Sequence, residues 1–402
     1  MRLLFITPNI PQPSSSGSAI IAYNYIKQLA LHHEVDLISF RTTNDINSND
    51  IVRWCANVTL FNKPTRAVVL LKMALGVISD LPLPVSHYRS LKMDRYFHVH
   101  YATHRYDAVM CQLIEMAQYS APLEIAPSIL LMEDPLIIKY QRQSPWRNTI
   151  IGRMITKYEI SRFIRYEKRV VPRFDRTILI NPLDLHAYSA IVPQAKLECV
   201  PYGIDTSAYT PVALEQRSRG MILISGNMNH PANVDAVDYF CSDIYPYIRQ
   251  RVPFASLWLV GANPTERVVR WAKDESIHVT GFVPDMSVYL QKAMVSACPV
   301  TLGFGSRTKV LEALACGTPV VTTTAANTGI GATPDRDLYT ADNAQEFTER
   351  VISLLNGERW EELAANGRRF VVEQRSWDVC VSRMETILQD VVMQRRATNH
   401  GK

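Results

Sequence analysis

A buried strand, a loop of small residues and an amphipathic helix open the chain, and the same cycle starts again past its middle. Residues 3 to 40 read as the strand LLFIT, the loop PNIPQPSSSGS, a helical stretch and the strand EVDLISF. Strands apolar on both faces need helices on both sides, so this unit predicts a parallel sheet with ligands beyond the carboxyl ends of its strands. Strand-like runs follow at 107–111, 129–132, 176–180 and 197–200. After a charged linker, EQRSRG at 215 to 220, MILISG starts a second cycle that continues at 256–261, 276–283, 298–302 and 318–323, with a helical stretch at 233 to 252. The expected fold class is α/β, with two doubly wound domains facing a central cleft. Their expected bounds are 1–214 and 215–375, with 376–402 as a C-terminal helix crossing back to the first domain. Gly357 and Gly367 read as helix stops in the region between, and the tail from Thr398 is expected to fray.

Composition allows two cores. Of 402 residues, 47% are hydrophobic and 20% charged, and the small share of glycine (16) and proline (23) excludes collagen-like and low-complexity chains. The net charge is only +5, but Arg142 to Arg176 holds ten basic residues against three acidic. That distribution argues against coating of nucleic acid and points to a local anionic partner. Seven widely spaced cysteines without a C-x-x-C pair fit a reducing cytoplasm and no zinc site. The apolar start breaks at Pro8, too early for a secretion signal, and the best apolar run, Ala67 to Ser79, is too short for a membrane span. A soluble or membrane-peripheral cytoplasmic protein is expected.

The most informative stretch is GFGSRTKVLEALACGTPVV, 303 to 321. A loop turns directly into a short helix that ends at Gly317. Unpaired amides at the helix start favour an anion such as a diphosphate, and Arg307 and Lys309 add full charges there. Glu312, farther along the helix, can accept hydrogen bonds from two neighbouring hydroxyls such as those of a ribose. The alternative is an ordinary βαβ turn with Glu312 solvated.

This stretch resembles the nucleotide-sugar motif of retaining glycosyltransferases of family 4, which have the two-domain GT-B fold. The first forty residues resemble that family's opening strand, loop and helix. VPYGIDTSAYTP (200–211), ILISGNMNHPANVDAV (222–237), LWLVGANP (257–264) and VTGFVPDMSVYL (279–290) resemble further segments in the family's order. The resemblance implies that Glu312 holds the donor ribose and that Ser306, Arg307, Thr308 and Lys309 surround the diphosphate, with Gly226 and Asn227 beneath. It also implies that Phe282 and Val283 sit at the nucleobase, and that Gly17, between Ser16 and Ser18, approaches the diphosphate or acceptor from the other domain.

The chain departs from that pattern in three places. Phe304 stands where the family has its first glutamate, the segment GNMNHPAN lacks the usual basic pair, and Met110, Cys111 and Gln112 stand where many members have a histidine. Arg307 and Lys309 are expected to take over neutralisation of the diphosphate. Glu115 and Asp134, with Glu133 beside it, are the ionisable groups at the first domain's carboxyl edge, and Glu115 and Asp134 are the expected catalytic acceptor contacts. The D-x-D pattern of Asp335 and Asp337 reads as a turn, so no metal is expected.

The basic segment 142–176 reads either as a helix lying on an anionic bilayer or as a packed helix with Tyr158, Ile164 and Val170 in the core. The apolar and basic stretch Arg66 to Arg89 favours the bilayer. The expected function is a metal-independent transferase moving a sugar, with retention, from a nucleoside-diphosphate-sugar to a saccharide or lipid-linked acceptor in surface glycan assembly, with no cofactor and no nucleic-acid partner. A sugar-nucleotide epimerase and a non-catalytic nucleotide-sugar-binding protein are the rivals. A dinucleotide dehydrogenase is disfavoured because PSSSGSA lacks G-x-G-x-x-G.

Overall fold

The computed structural model describes residues 1–13, 17–41, 49–64, 81–103, 106–120, 126–143, 150–300 and 308–400. The chain divides into two compact units, Met1–Tyr202 with Cys380–Lys402, and Gly203–Val379.

The first unit is built on seven strands: β1 (Arg2–Thr7), β2 (Glu34–Arg41), β3 (Asn57–Asn62), β4 (Ala108–Gln112), β5 (Ser128–Glu133), β6 (Arg176–Leu179) and β7 (Leu197–Cys199). They pair in the order β3-β2-β1-β4-β5-β6-β7, every pair parallel. The central strands β1, β4 and β5 are buried almost throughout, whereas the edge strand β3 is half-buried. Its polar residues Asn57, Thr59 and Asn62 hide the strand from a reading based on apolar runs, and no expectation fell there. Residues 380–400 continue the last helix (Trp377–His400), through Thr398 without a break. Within this unit it is fastened by Glu385 to His33 Nε2 at 3.0 Å, Gln394 to Arg176 at 3.1 Å and Arg396 to Asp107 at 2.8 Å.

The second unit has six strands: β8 (Met221–Ser225), β9 (Ser256–Val260), β10 (Ile277–Gly281), β11 (Val295–Cys298), β12 (Val320–Thr322) and β13 (Tyr339–Thr340). Their order is β10-β9-β8-β11-β12-β13, again all parallel. Alternate residues of β8 feed different cores: Ile222 and Ile224 join Phe240, Phe347 and Trp360, while Met221 and Leu223 join Leu311, Leu314 and Phe370. The strand expected at 298–302 lies earlier, ending at Cys298, because Pro299 has no N–H to continue a ladder. The stretch expected as one helix is a helix (Pro231–Tyr239), a π segment (Phe240–Ile244) and a second helix (Tyr245–Arg251); Pro246 removes a donor at the junction.

The charged stretch 215–220 exposes Glu215, Gln216, Ser218 and Arg219 and buries Arg217. Its guanidinium donates to the carbonyls of Ala293 (2.7 Å), Cys316 (2.8 Å) and Gly317 (3.1 Å) and to Thr318 Oγ1 (2.9 Å), and it stacks 4.7 Å over the Trp360 ring. The second unit begins at Gly203, twelve residues before the expected bound of 215, and Ile204 N donates to Arg375 O at 2.7 Å. Gly367 does not stop a helix; it lies inside Trp360–Arg375, where a Cβ would stand 2.6 Å from Leu314 Cδ2. Its missing side chain lets that helix press on the helix Thr308–Ala315.

Candidate functional site

The second unit gathers a polar cluster at the carboxyl ends of β8, β9 and β10. Gly226 follows β8 with φ of 145° and Gly261 follows β9 with φ of 151°. A Cβ on Gly261 would stand 1.8 Å from the Gly226 carbonyl oxygen, so the two loops touch backbone to backbone. The amide of Gly226 donates to Val260 O at 3.1 Å and that of Gly261 to Gly281 O at 3.2 Å, which ties the three strand ends together.

Above Gly226 lies Lys309, in the first turn of the helix Thr308–Ala315. Its Nζ donates to Asn233 Oδ1 at 2.7 Å and stands 3.3 Å from the place a Gly226 Cβ would take. Asn233 Nδ2 donates in turn to the carbonyl of Asn227 at 2.8 Å. The ammonium is therefore steered over the bare turn. Apolar anchors hold the helix, with Val310, Leu311, Ala313, Leu314 and Ala315 all buried.

Glu312 follows Lys309 by three residues, a spacing that puts both on one side of the helix. It is partly buried and accepts a hydrogen bond from the Tyr209 hydroxyl. Burial pushes its carboxyl up to about 7, against the opposing pull of Tyr209 and of the Lys309 charge. Tyr209 is itself held by Arg368, which donates to Tyr209 O (2.6 Å), Ala315 O (2.7 Å) and Thr206 O (2.9 Å).

Of the expected donor-binding residues, Gly226, Asn227, Lys309 and Glu312 come together here, with Thr308 at the helix start. Ser306 and Arg307 lie outside the described residues, as does Phe304. Phe282, just past β10, is 77% exposed, while Val283 packs on the apolar cluster beneath. Sequence reasoning missed Asn233 and Tyr209. The signal for Asn233 was an amide in the first turn of a helix opened by Pro231; for Tyr209 it was an aromatic hydroxyl just before Pro211.

The first unit has its own polar cluster, at the ends of β4 and β5. Gln112 Nε2 donates to Glu133 Oε1 at 2.6 Å and to Ser18 O at 2.7 Å, and Ser18 Oγ donates to Glu133 Oε2 at 2.7 Å. Glu133 is buried and sits at φ of 60°, and Leu113 sits at 63°. Two non-glycine residues in the left-handed region at neighbouring strand ends mark backbone held there by its surroundings. Burial is the main reason the Glu133 carboxyl is pushed up to about 7; Asp134 and Glu115 add to the rise, while the bonds from Ser18 and Gln112 oppose it.

Among the expected catalytic pair, Glu115 is partly buried on the turn after β4 and its carboxyl is raised by burial, and Asp134 is partly buried one residue beyond β5. The carboxylate that meets Gln112 and Ser18 belongs to Glu133. Gly17 begins the opening helix (Gly17–Leu29), and no described atom lies within 4 Å of a Cβ placed on it.

The D-x-D carboxylates are used locally. Asp335, at φ of 59°, pairs with Arg350 at 2.8 Å, and Asp337 pairs with Arg336 at 2.9 Å and accepts the Thr333 amide at 2.8 Å. Among the described residues no group of three His, Cys, Asp or Glu side chains could hold a metal ion.

Residues 219–357 match the family model for glycosyl transferases group 1. Over 262 residues the chain is 26% identical to the MMP α-(1→4)-mannosyltransferase of Mycolicibacterium hassiacum, a match that covers 61% of this chain and only 60% of that protein. Sucrose-phosphate synthase from Thermosynechococcus elongatus superposes with a TM-score of 0.70 at 17% identity, covering 98% of this chain and 99% of the other. Anabaena HepE in complex with UDP and glucose gives 0.62 at 12% identity, covering 97% and 99%. Two parallel sheets flanked by helices, superposing on these structures over nearly the whole chain, give this protein the GT-B fold, and within it residues 219–357 match the glycosyl transferases group 1 model.

Proposed function

We propose that the protein is a glycosyltransferase that moves a sugar from a nucleoside-diphosphate-sugar to a saccharide or lipid-linked acceptor, with retention of anomeric configuration, in surface glycan assembly. The observation that carries this reading is the Lys309 ammonium held by Asn233 over Gly226, with the Glu312 carboxylate one turn farther along the same helix. A diphosphate is a doubly charged leaving group. A fixed ammonium and the free amides of a helix start stabilise the charge that builds on it as the bond to the sugar breaks.

Each remaining group has a matching task. Gly226, without a Cβ, lets phosphate oxygens approach the backbone, and ionised Glu312 accepts from both ribose hydroxyls in place of Tyr209. Phe282 offers an exposed ring to a nucleobase. In the transfer step an acceptor hydroxyl oxygen bonds to the anomeric carbon while the bond to the diphosphate oxygen breaks on the same face. The hydroxyl proton passes to the leaving diphosphate, so no protein nucleophile is used, and positioning plus charge stabilisation supply the rate. Glu115 and Asp134 remain the candidates for acceptor contact, and Glu133 fixes the start of the opening helix beside them.

Anabaena HepE, which shares the fold, was solved with UDP bound, so uridine diphosphate is the first nucleotide to try. Wild-type protein should be stabilised by one of UDP, GDP or ADP in thermal unfolding, and should release that nucleotide from its labelled sugar donor when an acceptor extract is added. Stabilisation without any turnover would support a non-catalytic nucleotide-sugar-binding protein instead, and turnover to an isomeric nucleotide-sugar an epimerase.

A further inference from the structure

The helix Ile150–Val170 sorts its charges by sign. Both of its carboxylates face inward and are engaged there. Buried Glu159 pairs with Arg162 at 2.7 Å and accepts the Leu83 amide at 2.9 Å, and buried Glu167 accepts the Tyr188 hydroxyl at 2.6 Å. Phe163, Tyr166 and Val170 fill the same inner side. Arg153, Lys157, Arg165, Lys168 and Arg169 are all exposed, and among the described residues no carboxylate pairs with Lys157, Arg165, Lys168 or Arg169. The outer face thus carries cations and no acid.

Three large apolar side chains share that face: Met154 is 66% exposed, Ile155 55% and Tyr158 45%. Tyr158, one of the expected core positions, is therefore on the surface, whereas Val170 is buried and Ile164 packs at the core's margin. On a helical wheel Met154, Tyr158 and Arg165 fall within about 40° of one another, so the apolar and basic groups form one strip. The second stretch expected to favour a bilayer lies largely at 65–80, outside the described residues.

We propose that this strip is a docking surface for an anionic phospholipid bilayer, with Met154, Ile155 and Tyr158 entering the headgroup boundary and the flanking cations meeting lipid phosphates. Cations alone would suit any polyanion. Exposed methionine, isoleucine and tyrosine interleaved with them suit a partner that is anionic at its surface and apolar just beneath, which a bilayer is and a nucleic acid is not. Among the described residues no helix is long and apolar enough to cross a membrane, so the contact is a surface one.

Flotation of the full chain with vesicles tests this, using phosphatidylcholine alone and equal parts phosphatidylcholine and phosphatidylglycerol. Wild type should float with the anionic vesicles and not with the neutral ones. Met154→Asp with Ile155→Asp, and separately Arg165→Glu with Lys168→Glu and Arg169→Glu, should each lower partitioning at least about tenfold. All five positions are exposed, and unchanged circular dichroism and melting will confirm the fold. Equal flotation with neutral vesicles, or variants that float like wild type, would overturn the proposal. So would duplex DNA binding that the apolar double variant leaves intact while neither vesicle type binds.

Discussion

Lys309 is held over the bare Cα of Gly226 by Asn233, whose amide oxygen accepts its ammonium at 2.7 Å while its amide nitrogen donates to the Asn227 carbonyl at 2.8 Å. One side chain therefore fixes both the charge and the loop beneath it. Asn233→Ala should keep the charge but free its position, weakening binding of the cognate nucleoside diphosphate by roughly ten- to a hundredfold, in line with about 1.5–3 kcal/mol for a hydrogen bond to a charged group. Isothermal titration of wild type and variant with the same nucleotide checks this. Unchanged affinity would mean that Asn233 does not position Lys309 for the ligand.

The glycines at the strand ends should differ in their tolerance. Gly261→Ala would drive a methyl to 1.8 Å from the Gly226 carbonyl oxygen, so the β8 and β9 loops must separate and denaturant unfolding should show a loss of several kcal/mol, roughly 3 or more. Gly281→Ala meets no atom within 4 Å and bears only the cost of its φ of 70°, about 1 kcal/mol. Equal losses would contradict the contact between the two loops.

Arg217 should be irreplaceable for stability, because its buried guanidinium joins several segments of the second unit. Arg217→Lys keeps a charge but cannot reach the carbonyls of Ala293, Cys316 and Gly317 together, and each buried acceptor left without a donor costs about 1–3 kcal/mol. A drop of roughly 3–5 kcal/mol in chemical denaturation is expected. A loss below about 1 kcal/mol would show that the fork is not what joins these segments.

Glu133 gives a pH signature. Its folded carboxyl is pushed up to about 7 from the ordinary 4.5, so between those values the native state holds more protons than the unfolded chain. Stability therefore falls as pH rises through that window and levels off above it. The fall attributable to this buried group is on the order of 3 kcal/mol at most. Glu133→Gln, with the Ser18 hydroxyl turned to suit, removes the dependence, so the variant's stability relative to wild type should rise from pH 4.5 to 7. Parallel pH profiles from urea unfolding would rule this out.

The sequence made the architecture legible because parallel strands buried on both faces leave unbroken apolar runs, as LLFIT and MILIS do. It hid β3, whose half-buried edge mixes polar with apolar residues, and it misplaced β11, where an apolar run continues past a proline that ends pairing. In the site, Glu312 and Lys309 were readable because they share one short helix with recognisable boundaries. Asn233 and Tyr209 were not, since they lie 76 and 103 positions from their partners along the chain, a closure that only the folded sheet edge sets. The buried role of Glu133 shows a related limit. Neighbouring carboxylates look alike in a string of letters, and the left-handed turn at Glu133 decides which of them meets Gln112 and Ser18.

Metal independence follows from the proposed transfer step, in which Lys309 and the helix start neutralise the diphosphate. Sugar transfer should be unchanged by EDTA and by added magnesium or manganese. Activity abolished by EDTA and restored by either ion would require a metal in the step.

The most direct measurement is titration of the protein with UDP, GDP and ADP and with the matching nucleosides, for wild type, Lys309→Ala and Glu312→Gln. One diphosphate should bind clearly better than its nucleoside; Lys309→Ala should abolish that advantage and leave nucleoside binding in place, and Glu312→Gln should weaken nucleotide and nucleoside alike. If no diphosphate outcompetes its nucleoside, or if both variants bind as wild type does, the cluster of Gly226, Lys309 and Glu312 is not where a nucleotide-sugar is held.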